Sequence, residues 1–179
     1  MSAAEAAVIY GNYTMAVYLL SIPGGVAADA FLGARAPVVL GGLLIIAGHF
    51  TLAFAGPAVF IAGLALVAIG TGLFKPNISA LVAQLYPEGG SRRDAGFSIF
   101  YMGINLGAVL GSFFVPITAA AFGWSAGFAL PALRMLLGLV QFQVTKSHLG
   151  TSGLVPLGKP ATWWPIVGFM VIVVIVAGL

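Results

Sequence analysis

The stretch IGTGLFKPNISALV, Ile69 to Val82, is apolar enough to lie in a bilayer, yet it carries Lys75 followed by Pro76. A lysine at the centre of a membrane span costs about 2.5–3.5 kcal/mol on insertion scales, so such a residue faces a bundle interior or a water-filled cavity. At helical spacing Thr71 and Ser79 share its face, which makes a polar stripe on an otherwise apolar helix. Pro76 has no N–H for the carbonyl of Gly72, so the helix is expected to kink or loosen beside the charge. A locally broken helix lining a water-filled route suits a transport pathway. The alternatives are a structural ion pair or snorkelling to an interface. The distance of Lys75 from both ends of its run argues against snorkelling. The acids Asp29, Glu88 and Asp94 fall in loops and Glu5 at the opposite end, so no partner is visible nearby.

The rest of the chain agrees with a membrane setting. Of 179 residues 61% are hydrophobic and only 6% charged, and the mean hydropathy is +1.12, far from the range of a soluble domain. One span needs about 20 apolar residues, which leaves room for five to seven spans and no soluble catalytic domain. Apolar runs broken by charge, Gly, Pro and Asn predict six helices, at roughly 8–28, 36–56, 58–84, 95–119, 124–145 and 162–179. Residues 1–149 would form a partial helical bundle, 150–161 a cytoplasmic linker and 162–179 a further, truncated helix. Arg35, Arg92, Arg93, Lys146 and Lys159 fall in the first, third and fifth loops, while the second and fourth carry no charge. The positive-inside rule therefore puts those three loops in the cytoplasm, in a multi-pass protein of the cytoplasmic membrane. Trp124, Trp163 and Trp164 fit interfacial anchors.

The formal charge of +3 thus reads as a topology signal, and no nucleic-acid partner is expected. The start of the chain has no basic segment typical of a signal peptide. The chain has no cysteine, no GxxxxGK, HExxH or GxSxG motif, and no close metal-ligand companions for His49 or His148. No enzyme, metal or cofactor is expected, and His49 reads as a hydrogen-bonded structural residue.

Other polar residues repeat the pattern around Lys75. Asn105 shares a helical face with Ser98, Tyr101 and Ser112, and reads equally as interhelical glue or as a ligand contact. Beside it Gly103, Gly107 and Gly111 form a ridge suited to close helix packing. Tyr18 lines up with Gly11, Thr14, Ser21 and Gly25, where a structural role competes with a binding one. Arg134 is a second deep charge with no polar companions. In GGVAADAFLGAR, Asp29 sits at a helix C-terminus, where a carboxylate needs a compensating partner. Arg35, or the group Arg92, Arg93 and Asp94, would supply it as a folding clamp or as a cytoplasmic gate.

GGVAADAFLGAR resembles the loop motif between the second and third helices of major facilitator superfamily transporters. GTGLFKPNISALVAQLYPEGGSRRDAGFSIFYMGINLGAVLG is similar to the fourth and fifth helices of the proton-dependent oligopeptide transporters within it. The likeness extends from about Ile9 to Gly150, and the last predicted span looks like the first of two helices that bacterial members insert between their halves. The resemblance implies an all-α membrane protein with part of the major facilitator fold, family helices 2 to 6 and one inserted helix. It also implies proton-driven symport of di- and tripeptides. Lys75 then matches a lysine of proton coupling and substrate binding, Asn105 and Tyr18 match peptide contacts, and Asp29 and Arg35 match the gating motif. The family's E-x-x-E-R motif and C-terminal bundle have no counterpart here, Arg134 replaces a small residue, and Pro37 interrupts the loop signature. The chain is therefore expected to be part of a transporter, completed by a first helix and a C-terminal bundle of the same protein. Other specificities (nitrate, amino acids, drugs) or a non-transporting membrane fragment are the alternatives.

Overall fold

A computed structural model of the chain describes residues 2–54, 56–155, 167, 168 and 171. Helix α1, Ala3–Ala27, opens with a capping box in which the Glu5 N–H donates to Ser2 Oγ at 3.2 Å and the Ser2 N–H donates to Glu5 Oε2 at 2.8 Å. It widens into a π-helical turn, Ala28–Leu32, closed when the Gly33 N–H donates to the Ala28 carbonyl at 2.9 Å. Gly33 makes the exit with φ of 64°, a left-handed conformation that suits glycine. Then follow α2, Arg35–Leu52; α3, Pro57–Gln84; α4, Gly90–Phe122; and α5, Trp124–Thr145, with a short 3₁₀ turn over Lys146–Leu149. Proline at the first position of α3 takes a place where no N–H is needed. Among the described residues there is no strand, and five helical segments are long and apolar enough to cross a membrane.

The first five predicted spans hold to within a few residues, except that α1 and α4 each begin five residues early. The break falls at Gly89 and Gly90, both with φ of 69°, so Arg92, Arg93 and Asp94 belong to the first turns of α4 and not to a loop. With 33 residues α4 is about 50 Å long, more than the roughly 30 Å hydrocarbon layer, so it tilts or projects. The sixth predicted span, 162–179, with Trp163, Trp164 and the neighbouring Lys159, lies outside the described residues apart from three positions.

Helix α3 is the hub, packed on one side by α2 and on another by α1, while α5 packs against α2 and α4 against α5. In lipid, helices gain little from hiding apolar surface from one another, so close contact through small residues holds them together. The α2–α3 seam shows this. Gly41 and Gly48 face Gly70 and Gly63 in antiparallel order, so that a β-carbon at Gly41 would lie 2.6 Å from the Gly70 oxygen and one at Gly48 2.8 Å from the Gly63 oxygen. Each pair is spaced by seven residues, two helical turns. Small clusters fill the gaps: Leu20 with Ala16 and Ala68, Val38 with Ala34 and Leu81, and Ile46 with Ala132 and Leu139.

The start of the predicted linker folds back onto the helix ends. Arg35 donates from Nε to the Ser152 carbonyl at 2.7 Å and from Nη2 to the Gly150 carbonyl at 2.6 Å, and its backbone N–H donates to the Gly153 carbonyl at 3.1 Å. Gln84 Oε1, at the end of α3, accepts the Gly153 N–H at 2.6 Å. Hydrogen bonds from a charged donor contribute about 1.5–3 kcal/mol each. Arg35→Ala is therefore expected to raise trypsin cleavage after the exposed Lys146 at least about tenfold, because cleavage follows the open population. An unchanged cleavage rate would show that the clasp is weak.

Candidate functional site

Lys75 and Tyr18 are brought together by the packing of α1 on α3. The Lys75 Nζ stands over the Tyr18 ring, 4.9 Å from its centroid, in a cation–π contact. Lys75 lies about 27 Å along α3 from its first residue and about 14 Å from its last, too deep for its side chain to reach either end. Both side chains are exposed on the bundle surface, Tyr18 by 63%. Lys75 forms no ion pair among the described residues.

Three of the hydroxyl groups along the stripes are engaged with their own helices. Ser79 donates to the Lys75 carbonyl at 3.1 Å, Thr14 to the Tyr10 carbonyl at 2.9 Å and Ser21 to the Val17 carbonyl at 2.8 Å. Each thereby satisfies its donor without a partner helix. The Lys75 ammonium retains all three donors, since the ring contact uses none of them. The group best able to bind a carboxylate or exchange a proton on this surface is therefore Lys75.

Asn105 and the glycine ridge sit apart from that pair. The Asn105 amide donates to its own Tyr101 carbonyl at 2.9 Å, and its side chain is exposed. A β-carbon at Gly103, Gly107 or Gly111 would meet no atom within 4 Å among the described residues. Phe97, Phe100 and Tyr101 cluster one turn earlier, with the Arg93 guanidinium 5.8 Å from the Phe97 centroid. The ring of Pro76 abuts α1, where a β-carbon on Gly25 would lie 3.6 Å from Pro76 Cβ.

At the other end of α1 the suggested partners do not meet. The π-turn leaves Asp29 exposed, and it forms no ion pair among the described residues. Arg35 turns away to the carbonyls after α5, while Arg93 lies on Phe97 and Asp94 is exposed. Two other expectations change. Arg134 has a partner, the Phe114 ring, with its guanidinium carbon 5.5 Å from the centroid and tying α5 to α4. His49, expected to be hydrogen-bonded, has a buried Nδ1 with no partner among the described residues, because its surroundings on α2 are apolar.

Asn77 is a residue that the sequence reading passed over. It is 2% exposed, the one buried polar side chain among the described residues. Its Nδ2 donates to the Gly24 carbonyl of α1 at 3.0 Å and to the Leu73 carbonyl at 2.7 Å. The reasoning applied to Asn105, that an amide in an apolar helix finds another helix, would have singled it out.

Long apolar helices joined by glycine seams, with a lysine set on a tyrosine within a membrane-length helix, mark a multi-pass membrane protein. The chain belongs to the POT family, whose sequence profile matches residues 35–156. It is 44% identical over 167 residues to a di-/tripeptide transporter of Lactobacillus helveticus, covering 87% of this chain and 34% of the relative. It is 40% identical over 142 residues to a peptide transporter of Yersinia enterocolitica, covering 78% of this chain and 28% of the relative. The chain thus spans about a third of the length of these relatives. Among solved structures, peptide transporter POT in complex with sulfate superposes with a TM-score of 0.80 at 44% identity, over 93% of this chain and 35% of that one. A POT family transporter in complex with 5-aminolevulinic acid gives 0.75 at 37% identity, over 92% of this chain and 35% of that one. The architecture is therefore all-α and part of the major facilitator fold.

Proposed function

We propose that this chain supplies N-terminal helices of a proton-coupled symporter of di- and tripeptides in the cytoplasmic membrane, not an enzyme. The observation that carries this reading is the Lys75–Tyr18 pair inside the span, in a chain whose relatives are peptide transporters. A peptide brings a carboxylate for the ammonium and apolar or aromatic side chains for the Tyr18 and Phe97 surfaces. Asn105 would add an amide contact. Asp29, Arg35, Arg93 and Asp94 would act at the cytoplasmic end, where Arg35 and its clasp hold α2, α3 and the chain after α5 together while the bundles rock. The ends bearing Arg35, Arg92, Arg93, Lys146 and Lys159 face the cytoplasm in this reading. A first helix and a second bundle of the same protein would complete the pathway and bring the carboxylates that Lys75 lacks.

The test is uptake of labelled dipeptide by the full-length gene product in liposomes. Accumulation is expected under an inward proton gradient, with loss on adding a protonophore and competition by unlabelled tripeptide. Transport of nitrate, single amino acids or drugs without dipeptide competition would replace this reading.

A further inference from the structure

We propose that Asn77 is a positioning residue that sets the register of α1 on α3 and thereby holds Lys75 against Tyr18. The inference rests on the reading of that pair as the working site. Pro76 brings no N–H to the Gly72 carbonyl, so the ladder of α3 lacks a rung one turn before the proline. At the same level α1 comes nearest. A β-carbon on Gly24 would collide with the Gly72 oxygen and lie 2.9 Å from the Gly72 carbonyl carbon. A backbone made compliant at the point of closest approach would let the two helices slide.

Asn77 counters this with both amide hydrogens. One reaches Leu73 in its own helix, across the weakened turn, and the other reaches Gly24 in α1. The side chain is fully buried, so water does not compete for either bond. Lys75 is two residues away on α3 and Tyr18 six residues before Gly24 on α1, so a slip at the amide shifts the ammonium relative to the ring. Asn77 touches neither a peptide nor a proton in this account, and acts through Lys75.

This chain has no cysteine, so a thiol pair can be placed on α1 and α3 once any cysteines elsewhere in the full-length protein are replaced by serine. In the full-length protein, Tyr18→Cys and Lys75→Cys are joined by a bifunctional thiol reagent matched to their separation, in membranes. Asn77→Leu, which keeps the volume and removes both donors, is expected to lower cross-linking about fivefold, as for loss of one net hydrogen bond. Cross-linking equal to that with Asn77 present overturns the proposal. Asn77→Ser, which keeps one donor, serves if the leucine variant does not reach the membrane.

The second readout is transport with Tyr18 and Lys75 intact. Asn77→Ser should raise the KM for dipeptide about fivefold and shift the pH profile of uptake, and add nothing further in a Tyr18→Leu background. A fall in the maximal rate alone, with KM and pH profile unchanged, would mark Asn77 as merely structural and refute the proposal. Full proton-driven uptake by Lys75→Ala would instead defeat the functional reading of the pair, and the cross-linking result would stand by itself.

Discussion

Lys75→Ala is expected to reduce proton-driven dipeptide accumulation by the full-length protein to the level of protein-free liposomes. Misfolding is an unattractive explanation for such a loss, because removing a charge that costs about 2.5–3.5 kcal/mol to insert should favour assembly in the membrane. The ammonium loses only its Tyr18 contact, which contributes about 0.5–2 kcal/mol. A protein that is present at normal levels but does not accumulate peptide would therefore have lost chemistry and not structure. Tyr18 gives the graded comparison. Tyr18→Phe keeps a ring under the ammonium and should retain most uptake, whereas Tyr18→Leu removes the ring and should raise KM several-fold, about thirtyfold at most on the cation–π scale. Concentrative uptake by Lys75→Ala equal to wild type would sink the role assigned to Lys75.

That lysine was legible in the sequence because its signal is local. Thr71, Lys75 and Ser79 lie within three turns of one helix, and the expense of an intramembrane charge needs no tertiary information. Tyr18 was legible only as a position on a face, since its pairing with Lys75 depends on how α1 and α3 cross. The partner of Arg35 was beyond reach. It is a set of backbone carbonyls 115 and 117 residues away, and carbonyls have no side-chain signature in a sequence, whereas Asp29 offered an attractive but unused carboxylate. Asn77 was obscured by the same face analysis that found Lys75. Two residues correspond to about 200° around the helix, so a search along the stripe of Lys75 looks away from it. Arg134 needed the Phe114 ring, which lies on a different helix.

The glycines separate in the same way, and substituting them should produce the second large effect. The sequence drew attention to Gly103, Gly107 and Gly111, spaced by four, yet the contacts that assemble the described bundle use Gly24 with Gly72 and the seven-residue pairs Gly41, Gly48, Gly63 and Gly70. Gly24→Val should cost about 3 kcal/mol or more, since a β-carbon there strikes Gly72 backbone, which cannot rotate aside as a side chain would. The strain would fall on the crossing that Asn77 bonds, so the Tyr18–Lys75 contact should loosen with it. Thermal unfolding of the purified protein, followed by loss of its monodisperse elution peak, measures the cost. Gly107→Val is the comparison, because its β-carbon meets nothing among the described residues. If Gly24→Val is tolerated as well as an exposed substitution, the close crossing of α1 and α3 is wrong. If Gly107→Val alone is costly in the full-length protein, the ridge on α4 is a contact surface for helices that the proposed transporter adds to this bundle, where backbone approach through small residues would again do the holding.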